Sequence, residues 1–171
     1  MIHDSHQSTS FVVRELLLKT EKQKVSAVIG IPKEDQEAEK RLALTPETVA
    51  LLVSSGYRVL VETGAGLTIQ YSDSYYAESG AEIVGTAQEV FRADLVLKIL
   101  PPTLEEVKMM RRGAAVFSFL YIHKLSTPIL KLMAEKRVHA LAYELLNDVT
   151  GVSPFVTAIS EIEGATSIAL A

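Results

Sequence analysis

From residue 25 onward, short aliphatic runs recur along the chain, separated by stretches that carry helix-start and helix-stop residues. The runs are 25–31 (VSAVIGI), 58–62 (RVLVE), 81–84 (AEIV), 94–100 (DLVLKIL), 114–121 (AAVFSFLY) and 138–145 (VHALAYEL). They are near-continuous rather than strictly alternating, the pattern of strands covered on both faces. Between them, Thr45 can cap a helix with Pro46 at its first position, and Gly56 closes it. Thr103 and Glu106 stand at capping-box spacing before Val107, Met109 and Met110, with Gly113 as the stop. Ser126 or Thr127 starts a third helix, with Pro128 in its first turn and ILKLMAEKR as its body. Strands alternating with short helices predict an α/β fold built on a doubly wound parallel sheet, flavodoxin-like or Rossmann-like, in a single domain.

The two ends break this rhythm. Residues 1–24 have a polar head, then Phe11, Val12, Val13, Leu16 and Leu17, then a charged run, and read as an N-terminal arm. After Ser153 and Pro154, the stretch TAISEIEGATSIALA reads as a helix with Ser160 as a possible cap. It reaches Ala171 without Gly, Pro or a basic last turn, as an interrupted helix does, or as a natural terminal helix that frays.

Composition narrows the function. A length of 171 residues suffices for one real core, and a second full domain would be a squeeze. Lys and Arg number 17 against 21 Asp and Glu, for a net charge of −4, which argues against nucleic acid as the main partner. Absence of cysteine removes disulfide frameworks, thiol nucleophiles and Cys-based zinc sites together. No Trp and 6% aromatic residues give no sign of a stacking platform for bases or sugars. The start of the chain lacks the basic region and apolar run of a signal peptide, and its longest apolar stretch there, Leu16 to Leu18, is far short of a membrane span. The expectation is a soluble, cytoplasmic protein with no membrane partner.

Gly64-Ala65-Gly66 follows the run RVLVE, but the third glycine of a dinucleotide fingerprint would fall at Ile69, and no helix start follows. The pair reads instead as a tight turn with close backbone approach. The stronger signal is three cationic or proton-carrying groups near the carboxyl ends of different strands, where open parallel sheets bind ligands. Arg41 lies in EKRLALTP after the first strand, Lys98 interrupts DLVLKIL near its end, and His123 sits just past AAVFSFLY. Together they would suit a small carboxylate with a polarisable carbonyl beside it. Each has a plainer reading: Arg41 as a surface arginine, His123 as a hydrogen-bonded structural histidine. Lys98 is harder to set aside, because a lysine within a buried strand is costly unless it is paired or faces a cavity. His3 and His6 lie in the arm, and His139 starts a strand at the opposite end. No His-x-x-x-His pair, Gly-x-Ser-x-Gly elbow or phosphate-binding P-loop occurs, so neither a metal site nor a serine hydrolase is expected.

In order along the chain, IGIPKE (29–34), KRLALTPETV (40–49), GYRVLVETGAG (56–66), SGAEIV (79–84), ADLVLKI (93–99), FLYIHK (119–124), AYEL (142–145) and SEIEGA (160–165) resemble one family. It is the N-terminal domain shared by alanine dehydrogenase and the alpha subunit of nicotinamide nucleotide transhydrogenase, and the resemblance spans about residues 25–165. His123, and the loop DVTGVSPFVTAIS without an Arg-x-x-x-Gln-type pair, bring the chain closer to the dehydrogenase branch.

The resemblance implies that Arg41 holds a substrate carboxylate and that Lys98 binds the carboxylate or carbonyl and stabilises charge on the oxygen. It implies His123 as general acid/base and Ser160 as a residue of the substrate pocket. The implied reaction converts L-alanine, NAD and water to pyruvate, ammonia and NADH. The division implied is an arm (1–24), a substrate-side domain (25–158) and the start of a helix (159–171) leading to an NAD-binding domain outside this chain. The 171 residues alone would then bind nicotinamide poorly and turn over little. In its full-length form the enzyme is expected to be a homo-oligomer, a hexamer or dimer. Ile159 stands where the family has Met, and the run Glu161 to Ala165 lacks the family's arginine, so another amino acid, such as lysine or saccharopine, stays open as substrate. Two other readings remain: a stand-alone binding or regulatory module, and a fragment of a transhydrogenase alpha subunit coupled to a membrane partner.

Overall fold

The computed structural model describes residues 27–169, with side chains up to Glu161, so the N-terminal arm lies outside the described residues. Six strands form one sheet: β1 (Val28–Ile31), β2 (Arg58–Glu62), β3 (Glu82–Val84), β4 (Leu95–Leu97), β5 (Ala115–Ser118) and β6 (His139–Ala142). Their order is β3-β2-β1-β4-β5-β6, and every neighbouring pair is parallel. The chain winds outward from β1 to β3, then returns to the other side of β1 to lay down β4, β5 and β6. This reversal opens a crevice between β1 and β4 at the carboxyl edge, the usual ligand position in such sheets.

Among the described residues six α-helices connect and flank the strands: α1 (Pro46–Ser54), α2 (Asp73–Glu78), α3 (Ala87–Phe91), α4 (Leu104–Met109), α5 (Thr127–Lys136) and α6 (Pro154–Ala169). Alternate strand positions feed two separate cores. Ile29, Ile31, Val59, Val61 and Leu97 pack with Val49 and Tyr76, from α1 and α2. Val96 and Val116 pack with Phe91, Val107 and Met133, from α3, α4 and α5. Leu97 and Val96 are adjacent yet belong to different cores, as side chains that alternate across a sheet must. Burial on both faces explains the near-continuous apolar runs.

Several local expectations need correction. The run 94–100 is strand only over Leu95–Leu97, so Lys98 lies just past β4 rather than within it. The run 138–145 contributes four residues to β6, and Tyr143–Leu145 turns into a 3-10 helix. Because β6 is an edge strand, His139, Ala140 and Leu141 are exposed instead of covered. Ser160 does not cap the last helix: α6 begins at Pro154, and the Thr157 amide already donates to the Ser153 carbonyl at 3.0 Å. Proline pre-set for the first helical position, directly after a serine, starts the helix two turns earlier. The short helices α2 and α3 were not anticipated, although Thr86 and Glu89 form a complete capping box on α3.

Candidate functional site

At the carboxyl edge of the sheet the loops after β1, β2, β4, β5 and β6 border an open cavity of about 440 Å³. Arg41, Leu42, Ala43 and Thr45 line it ahead of α1, Ile69 and Tyr71 follow β2, and Ile99, Phe119 and Tyr143 follow β4, β5 and β6. Phe155 and Ile159 of α6 complete the wall. Arg41 is the one charged side chain in this lining. The size and largely apolar character suit a small organic ligand.

Aromatic stacking builds the far side. The Tyr143 ring lies 4.1 Å from Phe117, 5.1 Å from Phe119 and 4.7 Å from Phe155, measured between centroids, and so ties β5, the turn after β6 and α6 together. Burial pushes the Tyr143 phenol up to about 12, with the nearby Glu34 charge adding to the effect.

Arg41 is held by a near neighbour. Glu39 Oε1 accepts from the Arg41 backbone amide at 2.9 Å and from Nε at 2.8 Å, while Oε2 accepts from Nη2 at 2.7 Å. The Glu39 side chain is buried, and its hydrogen bonds with Arg41 hold its carboxyl below the usual range, outweighing the opposing effect of burial. Arg41 is thus held in place although its side chain stays 42% exposed.

Lys98 is 3% exposed and does not line the cavity, although Ile99 beside it does. Its ammonium donates to both oxygens of Glu106, at 2.7 and 2.9 Å, with Glu34 Oε2 at 3.8 Å. Of the two escapes open to a buried lysine, pairing rather than a cavity is the one observed. Glu106 also accepts from the Thr103 amide at 2.7 Å, so one carboxylate both caps α4 and holds Lys98. Glu34 in turn accepts from the amides of Ile99 at 2.5 Å and Leu100 at 3.4 Å, bracketing the chain just after β4. Burial raises the Glu34 carboxyl above its ordinary value in spite of the neighbouring lysine.

His123 sits on the exposed 3-10 turn Ile122–Lys124, outside the cavity wall. Tyr121 precedes it with φ of 42°, a left-handed conformation that a bulky residue seldom adopts. Glu144 steadies this bend by accepting from the Leu120 amide and, at 2.7 Å, from the Tyr121 amide. The Tyr121 ring stacks on Phe119 at 5.7 Å and meets the His123 ring edge-on at 6.5 Å. Ser160 is exposed on α6 and does not line the cavity, whereas its neighbour Ile159 does.

The four anticipated residues therefore surround the same edge of the sheet without meeting in one cavity. Sequence reasoning missed Glu34, Glu39, Glu144 and Tyr143, and saw Glu106 only as a cap. Glu34 and Glu144 lie inside the IGIPKE and AYEL runs, but nothing in either run indicates that the carboxylate holds the end of another strand.

The turn at Gly64–Gly66 does not form a dinucleotide fingerprint. Gly66 is followed by the 3-10 turn Leu67–Ile69 rather than by an α-helix. A Cβ at Gly66 would stand 2.6 Å from both the Tyr71 carbonyl oxygen and the Tyr76 ring, so this glycine serves internal packing, not approach to a pyrophosphate. Among the described residues no helix is long and apolar enough to cross a membrane.

Sheet order and cavity position define a doubly wound parallel α/β domain of Rossmann-like type, with a ligand-sized site at its carboxyl edge. Residues 30–162 match the family model for the alanine dehydrogenase/PNT N-terminal domain, and the chain belongs to that family. Alanine dehydrogenase of Bacillus subtilis is 40% identical over 138 residues, which cover 80% of this chain and 36% of the relative. Alanine dehydrogenase of Methanococcus maripaludis is 37% identical, covering 84% and 38%. The NAD(P) transhydrogenase subunit alpha of Haemophilus influenzae is 36% identical, covering 68% and 22%. Among solved structures, an L-alanine dehydrogenase superposes with a TM-score of 0.79 at 29% identity, covering 84% of this chain and 39% of its own. The chain spans less than two fifths of the length of these relatives.

Proposed function

We propose that this chain is the substrate-side domain of an NAD-dependent amino-acid dehydrogenase that interconverts L-alanine with pyruvate and ammonia. The observation that carries the reading is Arg41, a rigidly held guanidinium in the wall of an otherwise largely apolar cavity at the carboxyl ends of the strands. Such an arrangement suits a small carboxylate with a short apolar side chain. Alanine dehydrogenases among the relatives support the choice of substrate.

In this reading Arg41 binds the carboxylate, and Lys98, next to Ile99 of the wall, binds the carboxylate or carbonyl by turning from its pair with Glu106. His123 moves the proton as carbinolamine and imine form and break, a role that imidazoles commonly take in general acid/base chemistry. Ser160 stands at the rim of the pocket, on the helix that supplies Ile159. Residues 25–158 act as the substrate-side domain and 159–171 lead toward a cofactor domain. Since the Gly64–Gly66 turn lacks a dinucleotide fingerprint, the reading places NAD binding mainly in that domain and assigns these residues substrate binding and proton transfer. The working enzyme is taken to be a soluble cytoplasmic homo-oligomer.

The test is NADH-dependent reductive amination of pyruvate, measured on the full-length gene product and on the 171-residue chain. We expect His123→Ala to cost the full-length enzyme about 100-fold or more in turnover, and the short chain to turn over little or nothing. Robust amination by the short chain alone would overturn the division of labour. The transhydrogenase relative supports a second reading, an alpha-subunit domain. Under that reading His123→Ala leaves hydride exchange between nucleotides nearly intact.

A further inference from the structure

The site as described contains an acid that the proposed chemistry does not use. Glu39 is buried, stands two residues before Arg41, and gives both of its oxygens to that one residue. A carboxylate that grips a backbone amide, Nε and Nη2 together fixes the plane of a guanidinium as well as its place. The guanidinium is planar, and Glu39 binds it along the Nε–Nη2 edge. Glu39 is itself anchored, because its amide donates to the Asp35 carbonyl at 2.7 Å. The Lys40 carbonyl between the two residues accepts from Thr68 Oγ1 at 2.6 Å, pinning the loop to the segment after β2. The ion pair is therefore mounted on backbone held at two points.

We propose that Glu39 is a positioning residue for substrate recognition, which acts through Arg41 by aiming its guanidinium at a ligand carboxylate. This rests on the reading of Arg41 as the carboxylate-binding group. Two opposite roles would share the same contacts. As a positioner, Glu39 orders the guanidinium in advance and lowers the cost of binding. As a competitor, it would occupy the guanidinium and have to be displaced by the ligand's own carboxylate. The backbone bond from the Arg41 amide to the same Oε1 favours the positioner, since a carboxylate held by the main chain cannot be displaced by breaking the side-chain contacts alone.

The experiment measures equilibrium binding of sodium pyruvate to the full-length gene product by titration calorimetry, with thermal melts in parallel. Glu39→Gln keeps an oxygen for the Arg41 amide but cannot accept from both Nε and Nη2. The expected result is pyruvate affinity weakened by about tenfold or more, with the melting temperature close to wild type. Arg41→Lys should lose a similar amount, and Glu39→Gln in the Arg41→Lys background should add little, because two residues that act as a unit are not additive. Full additivity of the two changes overturns the inference, as does tighter pyruvate binding by Glu39→Gln. If wild type binds pyruvate and Arg41→Lys does not, unchanged binding by Glu39→Gln overturns the role of Glu39 alone. If Arg41→Lys binds as wild type does, or wild type does not bind at all, the underlying reading fails and the inference with it.

Discussion

Four carboxylates at the carboxyl edge of the sheet each hold something that the fold would otherwise leave loose. Glu39 grips Arg41, Glu106 grips Lys98, Glu34 accepts from the amides after β4, and Glu144 accepts from the amides after β5. Buried backbone donors and buried charges both need partners, and one carboxylate can serve several at once. Lys98 shows what this means for stability. With Glu106 present its ammonium makes two short hydrogen bonds; without it, only Glu34 remains, at 3.8 Å. Glu106→Ala should therefore cost up to roughly 3–5 kcal/mol, the penalty for breaking a buried pair, with Glu34 offsetting part of it. Pairing it with Lys98→Met should restore a large part of that loss. Urea denaturation of the two single variants and the double variant measures this, and additive losses would contradict a coupled pair.

At the scale of elements, the loop after β2 depends on close approach. Gly66 leads into the Leu67–Ile69 turn, and its amide oxygen accepts from both Ile69 and Tyr71. A methyl group there would meet the Tyr71 carbonyl and the fully buried Tyr76 ring, whose hydroxyl donates to the Leu44 carbonyl at 2.9 Å. Gly66→Ala should thus destabilise by about 1–3 kcal/mol through overpacking. It should also disturb the Leu42–Thr45 side of the cavity through Tyr76. A melting temperature equal to wild type would show that the loop can shift aside. At the same scale, Pro46 and Pro154 sit at the first positions of α1 and α6, where a proline lacks nothing that the helix needs. Gly56 takes positive φ directly after the Ser55 cap of α1. Gly113 also takes positive φ, but α4 has already ended at an extended Met110, so that glycine serves the turn into β5 rather than the helix stop.

At the scale of the whole molecule, α6 stands outside both cores of the sheet among the described residues. It reaches the body through Phe155 on Tyr143 and Phe117, and Ile159 on the cavity wall. Phe155→Ala should release the helix while leaving the two sheet cores untouched, because neither core uses it. Hydrogen exchange should then quicken by about tenfold or more across residues 157–161, with amides of β1, β4 and β5 still protected. Loss of protection in those strands as well would mean that α6 is part of the central cooperative unit. Since Phe155 and Ile159 complete the cavity, anything that reorders α6 also reshapes the proposed substrate site.

The six strands and the three punctuated helices were readable because burial on two faces writes an aliphatic run into the chain, and proline and glycine mark helix ends locally. Edge position is not local: nothing in VHALAYEL distinguishes an outer strand from an inner one, and β6 is exposed only because no strand lies beyond it among the described residues. Sequence by itself determined the parallel α/β class, the family and the presence of cationic groups at the carboxyl edge. Only the tertiary structure decided that Arg41 lines the cavity while Lys98 is turned away from it. The reason is physical: a side chain's direction depends on which partners the folded chain brings within reach. The partners of Lys98 come from separate loops and helices, 64 residues before it and eight after it.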